Sequence, residues 1–498
     1  MNDPLRWTQR KSNLALVGAV WLMAAIVAPQ AQASPPLELL GAPHQASSLS
    51  ARSGPAGPGA AYFQPALLLE SPAGVTGGVF ALEQRPWIEL MERPDGVEIT
   101  DAIYDAREIT DDGGTRRLTR RPLPTADLPR RRGQADPHQR GLYLSTGAAA
   151  TIIEDRLAVG FFALLPAQPF QAQRPHFVDE REQYFSNSLH FTHLGDATEM
   201  SSIAAGVAVR ATDWLDVGAG ATMTSDGVTR ARIFVPDAAD QSTSFQNAEV
   251  EIINRFVPHA GLAVRPHRAW LVSATAHAPY RAEVVGESEL QLWGYPYDDD
   301  DQALMQEFSF VYGYQPARFG AGARWESTGG PGDGLTVQGD LLYQRWSSYL
   351  DRQGDAPAKP FDDVLAATVG ASVKAGAHGV GVDARFSPTP VPEQRGRTNY
   401  VDNHRLATSV GWTFDHQSDT REIAAGLGVQ VHHLFSRTHR KSADVAHPVI
   451  DEFPLSQDAR SGEEIDDSRG LRTNNPGYPG YSSGGWLFGV AAHITARF

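Results

Sequence analysis

The chain has 498 residues, with 43 Lys+Arg against 58 Asp+Glu, 47 Gly, 34 Pro and no Cys, and 41% of it is hydrophobic. This is too polar for a bundle of membrane helices, each of which needs about 20 consecutive apolar residues. The lack of cysteine excludes a disulfide-stapled fold and thiolate metal centres, and a net charge of -15 argues against nucleic acid as a partner.

The first element reads as an export signal. Arg6, Arg10 and Lys11 form the basic start, Leu14 to Ala28 the apolar run, and Ala31-Gln32-Ala33 a small-x-small site that predicts cleavage after Ala33. An uncleaved anchor helix is the alternative, but the run is shorter than a span and Pro29 follows it. Loss of residues 1–33 removes three basic groups and one acid and takes the net charge from -15 to -17.

Residues 34–72 are rich in Ala, Gly, Pro and Ser, including Ser53-Gly54-Pro55-Ala56-Gly57-Pro58-Gly59, and lack strand patterning over most of their length. They are the candidate for a plug. The rest, 73–498, carries strand-like segments interrupted by two long loops, 85–140 and 436–475. The first loop holds a basic cluster, Arg116, Arg117, Arg120, Arg121 and Arg130 to Arg132. It is either a solvated loop or a contact for lipopolysaccharide phosphates.

From residue 141 onward, apolar and small or polar residues alternate with period 2. Leu215, Val217, Ala219, Ala221 and Met223 alternate with Asp216, Gly218, Gly220 and Thr222; Phe319, Ala321, Ala323 and Trp325 with Arg318, Gly320, Gly322 and Arg324. Leu335 to Gln344 and Glu422 to Val431 repeat the pattern. So does the C-terminus, where Trp486, Phe488, Val490, Ala492, Ile494, Ala496 and Phe498 form one face. Each run is near ten residues, about what a tilted strand needs to cross a bilayer. A soluble β-sandwich also alternates. A membrane barrel is favoured by the export signal, by the lack of long helical patterns, by aromatic residues near strand ends (Trp214, Trp325, Trp346, Trp412, Trp486) and by a terminal strand ending in Phe498. Phe498 is expected to close the barrel, and the barrel assembly machinery is an expected partner of the protein.

Glycines fall on the face opposite the apolar one: Gly206, Gly218, Gly220, Gly320, Gly322, Gly379, Gly381, Gly426 and Gly428. Either they are permissive lumen positions, or something approaches them closely inside the barrel.

No nucleotide-binding loop, nucleophile elbow or HExxH motif appears, so no catalytic residue, cofactor or metal ligand is assigned. Asp298 to Asp301 reads as a solvated tip or a divalent-cation contact. His432 and His433 are adjacent on a strand and point to opposite faces, so they cannot share an ion. A barrel hydrolase would draw on His190, His193, His404 or His493, each of which is otherwise an ordinary satisfied histidine.

Several segments resemble the FadL/TodX family of outer-membrane transporters for long-chain fatty acids and other hydrophobic compounds. They are Phe386-Ser387-Pro388-Thr389-Pro390-Val391-Pro392-Glu393-Gln394, the Asp402-x-x-Arg405 element before the strand Leu406 to Phe414, Arg345-Trp346-Ser347-Ser348, Asn475-Pro476-Gly477-Tyr478 and the terminal Trp486-Leu487-Phe488-Gly489. Gln64-Pro65-Ala66 resembles the family's Asn-Pro-Ala hatch segment, with an amide one methylene longer. The resemblance implies an all-β, fourteen-stranded transmembrane barrel in a Gram-negative outer membrane, with residues 34–72 as an N-terminal hatch. It further implies passive uptake of a hydrophobic ligand, most specifically a fatty acid, released sideways when the hatch shifts, and no enzyme activity. Arg210, Arg318, Arg324 and Arg385 are then the candidates to receive a ligand carboxylate, unless they pair with the lumen acids Asp216, Asp340, Asp383 and Glu422. A barrel lipid hydrolase and a plain diffusion porin are the alternatives.

Overall fold

A computed structural model of the chain describes residues 35–54, 57–91, 108–111, 114–117, 134–135, 139–167, 189–194, 198, 201–235, 245–292, 304–327, 334–351, 354–396, 398–417, 422–442 and 477–498. The expected signal peptide, the acidic run Asp298 to Asp301 and the basic cluster lie outside these residues, save for the backbone of Gly114–Arg117, which pairs with Glu108–Asp111.

The alternating segments form one closed sheet of fourteen strands in chain order. They are β1 Gly74–Leu90, β2 Gln139–Ile153, β3 Leu157–Pro166, β4 Ser202–Thr212, β5 Leu215–Val235, β6 Phe245–His267, β7 (Trp270–His277 and Tyr280–Leu292), β8 (Leu304–Gln315 and Arg318–Glu326), β9 Leu335–Gln344, β10 Val364–Ala375, β11 His378–Ser387, β12 Arg405–Gln417, β13 Glu422–Arg440 and β14 Gly480–Arg497. β14 pairs with β13 on one side and with β1 on the other, from Gly74 opposite Arg497 to Leu90 opposite Tyr481. Closure gives each backbone group a partner that a bilayer cannot supply. Neighbouring strands are antiparallel. Connections of two residues, such as Asp213-Trp214, Arg268-Ala269 and Gly376-Ala377, lie at one end, with the start of β1 and with Phe498, whose N–H donates to the Ala73 carbonyl at 3.2 Å. The long connections lie at the other. In barrels of this architecture the short-turn end is the inner, periplasmic one.

The faces follow the alternation. On β14, Trp486, Phe488, Val490, Ile494 and the following Phe498 are exposed toward the lipid while Leu487 and Ala491 are buried, and β5, β8, β9 and β13 behave alike. Trp214, Trp412 and Trp486 are exposed, as a girdle requires, and Trp325 is half-buried. Trp346 departs from that expectation. β9 stops at Gln344, so Trp346 has left the pleat for a 3-10 turn, Trp346–Ser348, and is buried against Phe361, Val364, Val391 and Tyr400.

Both loop boundaries also need correction. β1 continues through residues 85–90 and β13 through Ser436–Arg440, because each finds a ladder on β14. Pro86 is tolerated inside β1 because Gly485 stands opposite it with φ +144, where an added Cβ would meet the Arg85 carbonyl at 2.4 Å.

One sector of the wall changes its pairing partway up. Pro258 on β6, Pro279 at the break in β7 and Pro316 at the break in β8 each remove a ladder donor. On the inner side of these prolines, His259–His267 pairs with Trp270–His277. On the outer side, Val284–Leu292 of β7 pairs in parallel with Gly227–Val235 of β5 instead. The β5–β6 hairpin thus stands well above the 11-residue β4.

Candidate functional site

The site is the lumen, and residues 35–54 and 57–72 fill its inner half. Pro35 opens the helix α1 Pro35–Leu40, which stops at Gly41: φ is +71 there, and a Cβ would lie 2.0 Å from the Ser48 carbonyl oxygen. A second short helix, α2 Ala60–Phe63, ends at Gln64, whose extended backbone turns the chain into the 3-10 helix Pro65–Glu70 with proline at its first position. Leu37, Leu40, Tyr62, Phe63, Gln64, Leu67 and Leu68 are all buried.

Glycines on the wall make room for this hatch. A Cβ on Gly218 would lie 2.3 Å from the Ala66 nitrogen, and one on Gly261 1.8 Å from Gln64 Oε1. Gly218 and Gly261 are directly opposed on β5 and β6, so the tripeptide Gln64-Pro65-Ala66 lies on a pair of positions without side chains. The Gln64 amide Nε2 then donates to the carbonyls of Leu262 and Ala274, each at 3.1 Å, which are opposed on β6 and β7. Gly320 accommodates Arg52, Gly322 accommodates Ser53, and Gly381 with Gly411 accommodates Ala46 and Ser47. Gly206 faces the Ala61 carbonyl and Leu68. The remaining four of the glycines expected on the lumen face have other neighbours: Gly220 admits His259, Gly379 admits Thr413, Gly426 admits His493, and a Cβ on Gly428 would meet only ordinary contacts, the nearest 3.7 Å away.

Two part-buried carboxylates on the hatch gather the wall arginines. Glu38 Oε1 accepts from Arg52 Nη2 at 2.7 Å, Arg318 Nη1 at 2.9 Å and the Tyr62 hydroxyl at 3.0 Å. Burial alone would raise the Glu38 carboxyl; the guanidinium groups of Arg52, Arg318 and Arg385 outweigh it and hold it down at about 2. Glu70 accepts from Arg324 Nη2 at 2.6 Å and Arg265 Nη2 at 2.5 Å. Its carboxyl is likewise lowered, Arg324 and Arg265 together overcoming burial. Arg385 donates to the Glu38 carbonyl at 2.9 Å and to the Leu49 carbonyl. In the opposite sense, Asp340 and Asp383 of the wall accept from the hatch: Arg52 N–H and Ser53 Oγ for the first, Leu49 N–H and Ser50 Oγ for the second.

Of the four arginines considered for a ligand carboxylate, Arg318, Arg324 and Arg385 are therefore engaged with the hatch. Arg210 stands at the inner rim, half-buried and bonded to Asp216 at 3.1 Å. Glu422 pairs with Arg497. Glu38, Glu70 and Gly261 were not singled out in the sequence. Only Gly261 carried a signal, as a glycine with the parity of a lumen position.

Above the hatch the lumen turns apolar. One buried cluster runs without interruption from Leu37, Leu40, Tyr62 and Phe63 of the hatch, past Phe80, Leu82, Tyr143, Phe162, Leu434 and Leu487 of the wall, to Leu189, Phe191, Leu194 and Val401 at the outer end. The outer end is held by polar pins: Tyr143 OH and Gln84 Nε2 each reach Thr198 at 2.8 Å, and His190–Phe191 pairs in parallel with Tyr400–Val401. The two family-like segments meet here, Thr389 Oγ1 donating to Asp402 Oδ2 at 2.6 Å. Beside them, Trp346, Tyr349, Phe361 and Tyr400 stack edge and face at centroid distances of 4.3 to 6.4 Å.

The structure gathers His193 and His404 on the Thr389–Asp402 pair but not in the order of a catalytic chain. His193 Nδ1 lies 3.4 Å from Asp402 Oδ1, but the neighbouring hydroxyl, of Thr389, is on the carboxylate rather than on the imidazole, the reverse of a nucleophile–base–orienter chain. His404 accepts from the Thr389 N–H, and His493 faces the His44 ring. His432 and His433 do point apart, the first wholly buried and the second against the Trp486 ring at 4.2 Å.

No protein-family model matches this chain, and no curated protein sequence does. Solved structures do. The crystal structure of a Pseudomonas aeruginosa FadL homologue matches with 14% identity and a TM-score of 0.56, covering 91% of this chain and 98% of that one. The P. putida toluene transporter TodX matches with 11% identity and a TM-score of 0.46 over 92% and 98% of the two chains, and the Ralstonia pickettii toluene transporter TbuX with 11% and 0.42 over 94% and 99%. The first of these likenesses establishes the architecture: over nine-tenths of its length the chain has the fold of a FadL-type outer-membrane barrel.

Proposed function

We propose that the protein takes up hydrophobic molecules across the outer membrane of a Gram-negative bacterium, with long-chain fatty acids as its ligands. Capture occurs at the outer end, the ligand lodges in the apolar column, and movement of the hatch releases it through the wall. The observation that carries this reading is the unbroken apolar cluster from the outer end to the hatch roof, inside a barrel whose inner half is filled. Water-filled porin lumens are polar. An acyl chain gains about 0.8 kcal/mol for each CH2 it removes from water, so capture needs no energy source. The fold shared with a FadL homologue supports the same direction.

For release, the sector around Gln64 is the natural hinge. Its amide holds β6 and β7 just inside the row Pro258, Pro279 and Pro316, where the wall has already lost ladder donors. Withdrawal of Gln64-Pro65-Ala66 would leave Gly218 and Gly261 facing an unfilled lumen.

The test is direct. Detergent-purified protein should bind a fluorescent fatty acid saturably, with competition by unlabelled acid, and leave ester analogues intact. In planar bilayers it should show little steady conductance. Ester turnover abolished by changing one lumen serine or histidine would establish a hydrolase instead. Large open channels for small hydrophilic solutes in the intact protein would establish a porin.

A further inference from the structure

The outer half of β6 presents a strand edge that nothing else in the wall uses. Below Pro258 this strand pairs with β5 on one side and with β7 on the other. Above Pro258 the β5 ladder runs on without a bulge to Phe245 opposite Phe234, but β7 now pairs with β5 instead. Gly227–Val235 is thus paired along both edges, while residues 245–257 have a ladder along one edge only among the described residues. The Pro258 carbonyl accepts from the Ala278 N–H at 3.1 Å, so residue 258 turns its backbone groups toward β7. The N–H and C=O of one strand residue point to the same side, and successive residues alternate. Ala248, Val250, Ile252, Asn254 and Phe256 therefore hold their N–H and C=O toward the side that β7 has left.

This edge stands outside the bilayer. A tilted strand crosses in about 9 to 11 residues, so β5, which starts at Leu215 on the inner side, has emerged by Asp226, and Asp226 is opposite Ile253. Ala248, Val250 and Ile252 then face the cell's surroundings, and all three are exposed, Val250 by 63%. A long edge invites pairing with another chain unless proline, a bulge or a covering element blocks it; residues 245–257 contain no proline and no bulge. The two faces of the edge differ in chemistry. Val250 and Ile252 make one apolar, whereas Glu249 and Glu251 make the other acidic. Neither glutamate forms an ion pair among the described residues: Arg230, opposite Glu249, is engaged by Glu287 of β7, and Arg255 by Asp226.

We propose that the outer edge of β6, centred on Val250 and Ile252, docks an extended segment of a partner protein as one further strand. The partner's chemistry follows from the two faces: basic residues two apart to meet Glu249 and Glu251, with apolar residues between them to lie beside Val250 and Ile252. A second copy of this chain fits poorly. In the same membrane it stands at the same height and sets Glu249 and Glu251 beside their own copies, and like charges side by side repel. The inference adds a protein partner to the uptake reading and does not depend on it.

The experiment uses the full chain in a non-ionic detergent and two synthetic probes, a labelled peptide of alternating lysine and valine and its counterpart of alternating glutamate and valine. The basic peptide should bind more tightly by about tenfold, the worth of two cross-strand charge pairs. On binding, the backbone amides of Val250 and Ile252 should become slower to exchange, while those of Glu249 and Glu251, which point to β5, should not change. Val250→Pro removes one N–H from the edge without touching the β5 ladder, and proline is tolerated on such an edge; it should weaken the basic peptide by about fivefold. Glu249→Lys combined with Glu251→Lys should reverse the preference, and carries the test if Val250→Pro does not fold, which heat-modifiable migration on gels reports. Equal binding of the two peptides, binding without alternating protection, or no binding of the basic peptide would overturn the proposal. A dimer of the unaltered chain that Val250→Pro dissolves would assign the edge to a second copy and overturn the partner named here.

Discussion

The two halves of the lumen are built from different chemistry. The inner half carries a polar network: Asp340, Asp383, Arg318, Arg324 and Arg385 are buried and Glu38 and Glu70 part-buried between hatch and wall, among glycines that let the two backbones approach. The outer half is a column of Leu, Phe and Tyr. An all-polar lumen would conduct water and ions, and an all-apolar one would give the hatch no defined seat. Charge networks fix one register where apolar packing tolerates several. The division thus places specificity below and affinity for grease above.

The strongest way to break that contrast is to remove the inner half. Deleting residues 34–72 should leave a barrel that inserts and resists heat-free unfolding in detergent, because the fourteen-strand ladder closes without the hatch. It should also raise bilayer conductance from near silence to a steady open level, since what remains at the inner end is a ring of charged groups and glycines. A deletion that abolished insertion would show the hatch to be part of the barrel's folding unit.

Next in size is the charge network. Glu38→Gln leaves Arg52 and Arg318 buried without their shared carboxylate, and breaking a buried pair by removing one partner costs about 3 kcal/mol or more. That loss should fall on hatch seating rather than on the barrel: protease should cut within residues 35–72 far faster while the thermal transition of the wall moves little. The shape-based grip is weaker. Gly218→Val drives a side chain into Pro65 and Ala66, an overpacking of about 1 to 3 kcal/mol, whereas Gly428→Ala, with nothing nearer than 3.7 Å, should be silent. Equal effects from the two glycines would refute a distinction drawn from the hatch contacts.

This glycine pair also marks how far the sequence reaches. Period 2 placed the strands and their lipid face, and the parity of Gly218, Gly320 and Gly322 pointed inward to a close approach, because alternation is a local property that each strand displays alone. Strand length was less legible: β1 runs on through Pro86 and Trp87 only because β14 supplies a partner with Gly485 at the critical point. The partners of the lumen arginines were not legible at all. Arg318 and Glu38 are 280 residues apart, and Arg324 and Glu70 254, so no spacing announces either pair.

The smallest expected effect is one of pH, and it bears on the inner half, where the hatch itself carries titrating groups. His44 is held in the hatch by burial, and secondarily by His493, with its imidazole lowered from 6.5 to about 3, and its Nε2 accepts the Gly59 N–H at 3.3 Å. A neutral ring is required for that bond. The freed hatch binds the proton more readily than the seated one, so this contribution is intact above pH 6.5 and is lost progressively as the pH falls toward 3. Glu38, lowered from 4.5 to about 2, behaves in the same sense but weakens only below pH 4.5. Between pH 7.5 and 5.5, therefore, His44 acts while Glu38 does not, and hatch seating should weaken by about 1 kcal/mol. Hydrogen exchange at residues 57–63 read at both pH values measures it, and His44→Gln, which keeps an acceptor that does not titrate, should flatten the dependence. A dependence that survives that substitution would move the titrating group out of the hatch and onto the wall.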